Sequence, residues 1–222
     1  ETGPSVGEYF LYAILNRMVA PRSKRALPEW YANSAIGVIR PVNVEELSSD
    51  RYWAKWDRVS QDHIEEIQRR FFRRIWEVEQ PDADCLLFDT TNYYTFMDSQ
   101  TDSELARRGK NKAGRDNLRQ VGLGLLAARD TRLPLYSVVY PGNRHDSKVF
   151  NAIMEDMCQV VLHLGKTKER LTVIIDKGMN SQDNFAWIDE HQRVHFVTTY
   201  STSYAEDLAS IPLDQFEPAQ TS

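Results

Sequence analysis

The chain has 222 residues, of which 41% are hydrophobic and 27% charged, and its net charge is −5 at pH 7. These values are ordinary for a globular protein with one sizeable core, and no apolar run reaches the roughly 18 residues of a membrane-spanning helix. The acidic total argues mildly against a nucleic-acid partner, although phosphates are met by local basic patches. Cys85 and Cys158 fit no metal-ligand spacing and predict reduced thiols in a cytosolic protein.

Residues 7–78 have the periodicity of helices. Apolar side chains recur at spacings of three and four from Tyr9 to Met18, and Pro21 ends this run. A second stripe with the same spacing runs from Ile64 to Val78 and predicts a long amphipathic helix. We therefore predict a helical N-terminal region over residues 1–80.

The pattern changes at Pro81, after which short apolar runs predict strands. Strands are expected at 85–88 with an alternating stretch at 93–97, at 121–128, 133–140, 171–175 and 194–199, and helices at 147–164 and 183–191. Antiparallel strands followed by βαβ units indicate an α/β fold with a mixed sheet that is flanked by helices and has its first three strands antiparallel. We assign this core to residues 81–222.

Two aspartates occupy comparable positions after apolar runs. Asp89 follows the run 85–88, and Asp176 follows the run 171–175. A carboxylate at the end of a buried strand is costly to desolvate unless a partner compensates, and Mg²⁺ prefers such hard oxygen ligands. If the two strands are neighbours, the pair could help to hold two metal ions about 4 Å apart for in-line attack on a phosphodiester. Either aspartate alone could instead cap a loop or a helix.

A basic segment follows the first of these aspartates. Its cationic residues are Arg107, Arg108, Lys110, Lys112, Arg115 and Arg119. The interleaved Gly109 and Gly114 suggest a flexible loop that could follow a DNA backbone, and a solvated charged loop is the alternative. Lys177, beside Asp176, is a further candidate for a phosphate contact, and an ordinary surface lysine is the alternative. The five tryptophans are expected in the core rather than as base-stacking residues.

The blocks that contain the two aspartates carry a specific resemblance. Leu-Phe-Asp-Thr-Thr at 87–91 and Val-Ile-Ile-Asp-Lys-Gly-Met at 173–179 are similar to the two catalytic strands of the DDE transposases of bacterial insertion sequences, in the insertion sequence four superfamily. The segments 117–126, 133–135 and 140–143 resemble the family's second and third strands and the turn that follows. The likeness extends over most of the chain, and the two aspartate blocks are its most specific part.

This resemblance implies a ribonuclease-H-like core in which Asp89 and Asp176 are catalytic and hold Mg²⁺ or Mn²⁺. One ion would activate water or a DNA 3′-hydroxyl, and the other would stabilise the leaving 3′ oxygen. The implied reactions are cleavage at transposon ends and strand transfer into target DNA, so double-stranded DNA is the expected partner. A homodimer on DNA, the absence of a membrane partner and a nucleoid-associated location in the bacterial cytoplasm are further expectations.

The sequence departs from the family pattern at the third carboxylate. The family places a glutamate within Tyr-x2-Arg-x3-Glu-x6-Lys, and no such motif occurs here. Glu190, Glu206 and Glu217 follow Asp176, but none of them has that context. We therefore expect a fragment that is truncated before the third acidic residue and is catalytically incomplete.

Other functions compete with the transposase interpretation. A phosphohydrolase with an aspartate nucleophile would have Asp-x-Asp after the first strand, and an actin-like ATPase would have Asp-x-Gly there. Thr91 stands at the position where both patterns need a different residue. A non-catalytic DNA-binding regulator or relic derived from a transposase stays open, because the third carboxylate is missing.

Overall fold

The structure is a computed structural model, and it describes residues 3–97, 100–109, 114–144, 146–164, 171–191, 193–200 and 205–216. The chain divides into two compact units, residues 1–69 and 70–222. Among the described helices, none has the length and apolar character needed to cross a membrane.

The first unit is helical. It contains α1 (Val6–Val19), α2 (Leu27–Ala32), α3 (Ile36–Ile39), α4 (Ser49–Trp56) and the beginning of α5 (Gln61–Glu79). Ser5 and Glu8 form a capping box at the start of α1, which satisfies backbone donors that the helix leaves unpaired. The core of this unit is rich in aromatic rings: it consists of Tyr9, Tyr12, Leu27, Tyr31, Leu47 and Tyr52.

The second unit is an α/β fold, entered through the end of α5. Its strands are β1 (Cys85–Thr95), β2 (Arg107–Arg108), β3 (Arg119–Ala128), β4 (Pro134–Pro141), β5 (Leu171–Ile175) and β6 (Val194–Val197). Its helices are α6 (Asp146–Leu164), α7 (Gln182–Glu190) and the short α8 (Glu206–Ala209).

Within the described residues the strands form one mixed sheet. β1 lies at its centre, antiparallel to β3 on one side and parallel to β5 on the other. β2 and β4 both pair with the edge of β3 that faces away from β1, and β6 extends the sheet beyond β5 in parallel. The predicted α/β fold class, a mixed sheet whose first three strands are antiparallel and which is preceded by helices, is confirmed.

The core lies on one face of this sheet. Alternate residues of the strands, among them Leu86 and Phe88 of β1 and Leu126 of β3, pack against Phe150 and Met154 of α6. Ile188 of α7 and Trp76 of α5 belong to the same cluster. Burial of this continuous apolar surface is the main source of stability in such a fold. Helices α6 and α7 therefore cover the face to which the even-numbered residues of β1 point.

The prediction of a flexible basic loop is wrong for the first two residues of the basic segment. Arg107 and Arg108 form strand β2, paired with Gln120 and Arg119 at the beginning of β3. A β-carbon on Gly109 would lie 2.6 Å from the carbonyl oxygen of Gly142, so this glycine permits a close approach of two backbones. The basic segment is thus attached to the sheet here.

The placement of the tryptophans agrees with expectation in four cases. Trp76 is buried, and Trp30, Trp56 and Trp187 pack against the two cores. Trp53 is half exposed, and Lys24 lies over its ring with the ammonium nitrogen 4.7 Å from the ring centre. The interaction of the lysine cation with the ring face stabilises this tryptophan in its exposed position.

The buried thiol of Cys158 in α6 makes stability sensitive to alkaline pH. Both cysteines are free, and burial raises the pKa of Cys158 to about 12. Because an unfolded thiol ionises near pH 8.5, stability is fully present below that pH and falls above it, by up to about 1.4 kcal/mol per pH unit, until the folded pKa is reached. In urea denaturation between pH 8 and 11, Cys158→Ala should lose stability less steeply than the parent. Cys85→Ala, which keeps Cys158, should follow the parent, and equal slopes for all three would contradict the argument.

Candidate active site

The structure places Asp89 in the interior of a long strand. β1 continues through Asp89 to Thr95, and the burial of its residues alternates along its length. The flanking Phe88 and Thr90 are buried, whereas Asp89 is exposed. Its Oδ1 atom accepts a hydrogen bond of 2.8 Å from the backbone nitrogen of Thr90. The carboxylate therefore projects from the face opposite α6.

Asp176 directly follows the last residue of β5. Its backbone is still extended, so the alternation of the strand continues for one more residue, and its side chain is exposed. Oδ2 of Asp176 accepts from the backbone nitrogen of Gly178 at 3.4 Å, which caps the short 3₁₀ helix Lys177–Met179. This cap is the structural role that the sequence left open for an aspartate after a strand.

The register of β1 and β5 brings the two aspartates together. The parallel pairing ends with Phe88 opposite Ile175, and both of these residues are buried on the same face. Asp89 and Asp176 are each one residue further along, so both lie on the other face. Neighbouring strands are about 4.8 Å apart, and the two carboxylates are therefore neighbours across this gap.

This geometry corrects one part of the sequence argument. The sequence predicted carboxylates at the ends of two buried strands, whose desolvation a cation would offset. Asp89 is instead inside its strand, and both carboxylates are exposed. The reason for expecting a cation changes accordingly: two negative groups held side by side repel each other, and a divalent cation between them removes that repulsion.

The donor set fits part of a divalent metal site. Each carboxylate uses one oxygen for the backbone hydrogen bond described above and carries a second oxygen, the hard ligand type that Mg²⁺ and Mn²⁺ prefer. Across the part of the chain that the structure describes, no group of three or more acidic, histidine or cysteine side chains is placed to hold a metal. Glu190 and Glu206 therefore do not complete the pair, and Glu217 lies outside the described residues.

The basic residues predicted to contact DNA are placed in two regions. Arg108 and Arg119 are paired across β2 and β3, and Arg107 is paired with Gln120. The guanidinium of Arg119 donates to the carbonyl oxygen of Thr101, and that of Arg107 donates to Glu104 at 3.4 Å. Lys177 is exposed and follows Asp176 directly.

Arg115 lies close to the end of β1. Its guanidinium carbon is 5.3 Å from the ring centre of Tyr94, a distance at which a cation interacts with an aromatic face. No local sequence pattern indicates this contact, because the two residues are 21 positions apart. Lys110 and Lys112, predicted in the same segment, lie outside the described residues.

The two aspartate blocks lie within a region that matches a known family. The sequence profile described as the transposase DDE domain matches residues 82–218. The chain belongs to the family of transposase DDE domains. The matched region begins just before β1 and contains both strands of the aspartate pair. No curated protein sequence matches the chain at a significant level.

Solved structures similar to this DDE domain chain are transposase complexes. A piggyBac transposase synaptic complex with hairpin DNA is 14% identical, with a TM-score of 0.48, over 95% of this chain and 45% of that chain. The Mos1 transposase paired-end complex with the left transposon end is 11% identical, with a TM-score of 0.35, over 94% of this chain and 62% of that chain. The present chain thus spans less than two thirds of the length of either relative.

Proposed function

We propose that this chain is part of a cut-and-paste DNA transposase of the insertion sequence four superfamily. In this proposal residues 1–80 form a helical N-terminal region, and residues 81–222 form a ribonuclease-H-like catalytic core that stops before the third acidic residue. The whole protein would act on double-stranded DNA in the bacterial cytoplasm, at the nucleoid, as a homodimer on paired transposon ends. The fragment alone would not cleave DNA.

One observation carries the catalytic part of the proposal. The register of β1 and β5 holds Asp89 and Asp176 side by side on the exposed face of the sheet. The strands are rigid elements, so the two carboxylates are held in place before any substrate arrives. Side chains fixed on the centre of a sheet are well suited to position a phosphodiester for in-line attack.

Asp89 and Asp176 would hold Mg²⁺ or Mn²⁺ as two of three carboxylates. A divalent ion at this position supplies Lewis-acid stabilisation of the negative charge that develops on the phosphoryl oxygens. The chain's own contribution is to fix the two ligands, since Thr90 and Gly178 donate backbone hydrogen bonds that limit the rotation of each carboxylate. The third ligand would come from a glutamate outside the described residues.

Arg107, Arg108, Arg115 and Arg119 would bind the phosphate backbone, together with Lys110, Lys112 and Lys177. Arg107, Arg108 and Arg115 lie in the segment between β1 and β3 and are exposed, and Arg119 is the first residue of β3. Such contacts provide affinity and orientation but no base-specific recognition. They also explain how a chain with a net charge of −5 can bind a polyanion, because the positive charge is local.

A non-catalytic DNA-binding regulator derived from a transposase is the second candidate. It is favoured by one observation, the lack of a group of three metal-binding side chains among the described residues. A regulator would bind DNA without a divalent metal and would not nick it. Mg²⁺-dependent nicking by a longer protein, lost on removal of either aspartate, would separate the enzyme from the regulator.

The DNA-binding part of the proposal predicts a strong salt dependence. In fluorescence-anisotropy titrations with duplex DNA, affinity should fall steeply between 50 and 200 mM salt. Arg108→Ala should weaken binding and reduce the slope of log Kd against log salt by about 0.9, the value for one lost phosphate contact. Arg129→Ala is the matched control, because this exposed arginine follows the opposite end of β3. A flat salt response of the parent chain would overturn the DNA-binding proposal.

A further inference from the structure

The side chains that the structure describes on the sheet face with the aspartate pair are partly or fully exposed, and we call this face the open face. Alternation along β1 puts Leu87, Asp89, Thr91 and Tyr93 on this face, while Leu86, Phe88 and Thr90 point towards α6 and α7. Leu87 is 36% exposed, and Leu125 of β3, opposite Asp89, is 40% exposed. Hydrophobic residues on this face therefore remain partly accessible, unlike those on the covered face.

Following β1 along this open face leads from the acidic pair to a basic one. Thr95, at the end of the strand, pairs with Arg119 of β3, and Arg119 pairs in turn with Arg108 of β2. Directly paired residues share a face, so Thr95, Arg119 and Arg108 lie on the same face of the sheet as Asp89. The distance along the strand from Asp89 to Thr95 is about 20 Å at the usual rise per residue.

Tyr93 lies between these two ends. It is 60% exposed, and its antiparallel partner on β3 is Val121. It does not belong to either hydrophobic core. The ring is about 13 Å from Asp89 along the strand, which is the length of about four nucleotides at the rise of B-form DNA.

We propose that Tyr93 stacks on an unpaired base of the DNA strand that crosses the open sheet face between the Asp89–Asp176 pair and Arg108 with Arg119. The inference rests on the proposed function and extends it by assigning a position to unpaired nucleotides next to the reacting phosphodiester. An exposed aromatic ring fixed on a strand is a base-stacking platform, and arginines beside it attract the phosphate backbone. Each base has a flat apolar face, so the contact does not depend on sequence.

The charges on this face favour a nucleic acid strand over a protein chain. The basic end of this face provides Arg108 and Arg119. A polyanion gains from these contacts, and its approach to Asp89 and Asp176 requires the divalent cation that the proposed chemistry needs in any case. The stacked base would thus be held between a phosphate-binding end and the reacting end of one strand.

The test compares two DNAs in anisotropy titrations in Mg²⁺ buffer. One is a blunt duplex, and the other is the same duplex with a five-nucleotide single-stranded extension. The chain should bind the extended DNA at least about fivefold more tightly, the lower limit of what one base–aromatic stack contributes. Tyr93→Ala should lose this preference while keeping its affinity for the blunt duplex, and Tyr93→Phe should retain it, because the ring is sufficient for stacking. Tyr200→Ala is the matched control, since this half-exposed tyrosine packs beside Phe185 of α7.

A 2-aminopurine in the extension gives a direct readout of stacking. Its fluorescence should be quenched on binding to the parent and to Tyr93→Phe, but not on binding to Tyr93→Ala. If Tyr93→Ala bound the extended DNA as preferentially as the parent and quenched 2-aminopurine equally, the stacking proposal would be overturned. The proposed function would stand as long as the parent still bound duplex DNA in a salt-dependent way. Equal loss of affinity for both DNAs, with a lowered melting temperature, would show that Tyr93 supports the fold instead. No binding of either DNA by the parent would overturn the proposed function and the stacking proposal together.

Discussion

Replacing Asp89 or Asp176 by asparagine should reduce Mg²⁺-dependent DNA nicking by at least about a thousandfold. This corresponds to about 4 kcal/mol of transition-state stabilisation, within the range that a catalytic metal supplies. The measurement requires a longer protein that also carries the Tyr-x2-Arg-x3-Glu-x6-Lys segment, with a supercoiled plasmid or a transposon-end duplex as substrate. Asparagine keeps the shape of the side chain and an oxygen that can accept from Thr90 or Gly178, but it removes the charge.

Two controls separate a metal ligand from a structural aspartate. Both side chains are exposed, so the asparagine variants should keep the melting temperature of the parent within a few degrees. Asp183→Asn, an exposed carboxylate in the first turn of α7, should nick DNA like the parent. If Asp89→Asn or Asp176→Asn retained full Mg²⁺-dependent activity, that aspartate would be only a cap or a surface residue, and the proposed metal pair would be wrong.

The shorter chain offers an independent check of the same pair. Electron paramagnetic resonance of added Mn²⁺ reports the free ion, and two carboxylates should bind it weakly. Either asparagine variant should bind less Mn²⁺ than the parent, and Asp183→Asn should bind as much. This readout does not depend on the third carboxylate, so it tests the pair without a cleavage assay.

The fold of the second unit was predictable because its signals are local. The alternation in β3, the strongly apolar run 171–175 and the helical spacing in 147–164 each specify one element, and the order of the elements limits the topology. The boundaries were less accurate. β1 extends without interruption through Asp89, because Asp89 and Thr91 point to the open face while Phe88 and Thr90 maintain the buried alternation.

The site was predictable only in outline. The sequence indicated two aspartates at comparable positions, but their side-by-side placement depends on the β1–β5 register, a relation between residues 87 positions apart. The pairing of Arg108 with Arg119 and the contact of Arg115 with Tyr94 are long-range in the same sense. The charge of the basic segment predicted a loop, whereas Arg107 and Arg108 form a short strand because they pair with β3.

Among glycine-to-alanine changes at the described positions of the second unit, Gly142→Ala should lower the free energy of unfolding the most. A β-carbon at this position would lie 1.9 Å from the backbone oxygen of Gln120, and neither backbone can move aside easily. The expected loss in the free energy of unfolding is about 3 kcal/mol, at the upper end of the usual cost of overpacking. Urea denaturation followed by fluorescence measures it. Gly7→Ala in α1 is the control, because the nearest atom to its added carbon is 4.0 Å away.

The position of Gly142 connects this loss to the proposed DNA contacts. Its nitrogen donates to Leu105 at 3.0 Å, and its oxygen accepts from the side chain of Gln120 at 2.7 Å. Gly142 thereby links the segment before β2 to the beginning of β3. Arg108 lies in β2, and Arg119 is its partner in β3. Gly142→Ala should therefore weaken DNA binding even in conditions where the variant remains folded, while Gly7→Ala should gain up to about 1 kcal/mol from helix propensity and bind DNA normally. Unchanged stability and DNA affinity in Gly142→Ala would show that this backbone contact does not hold the basic end of the sheet in place.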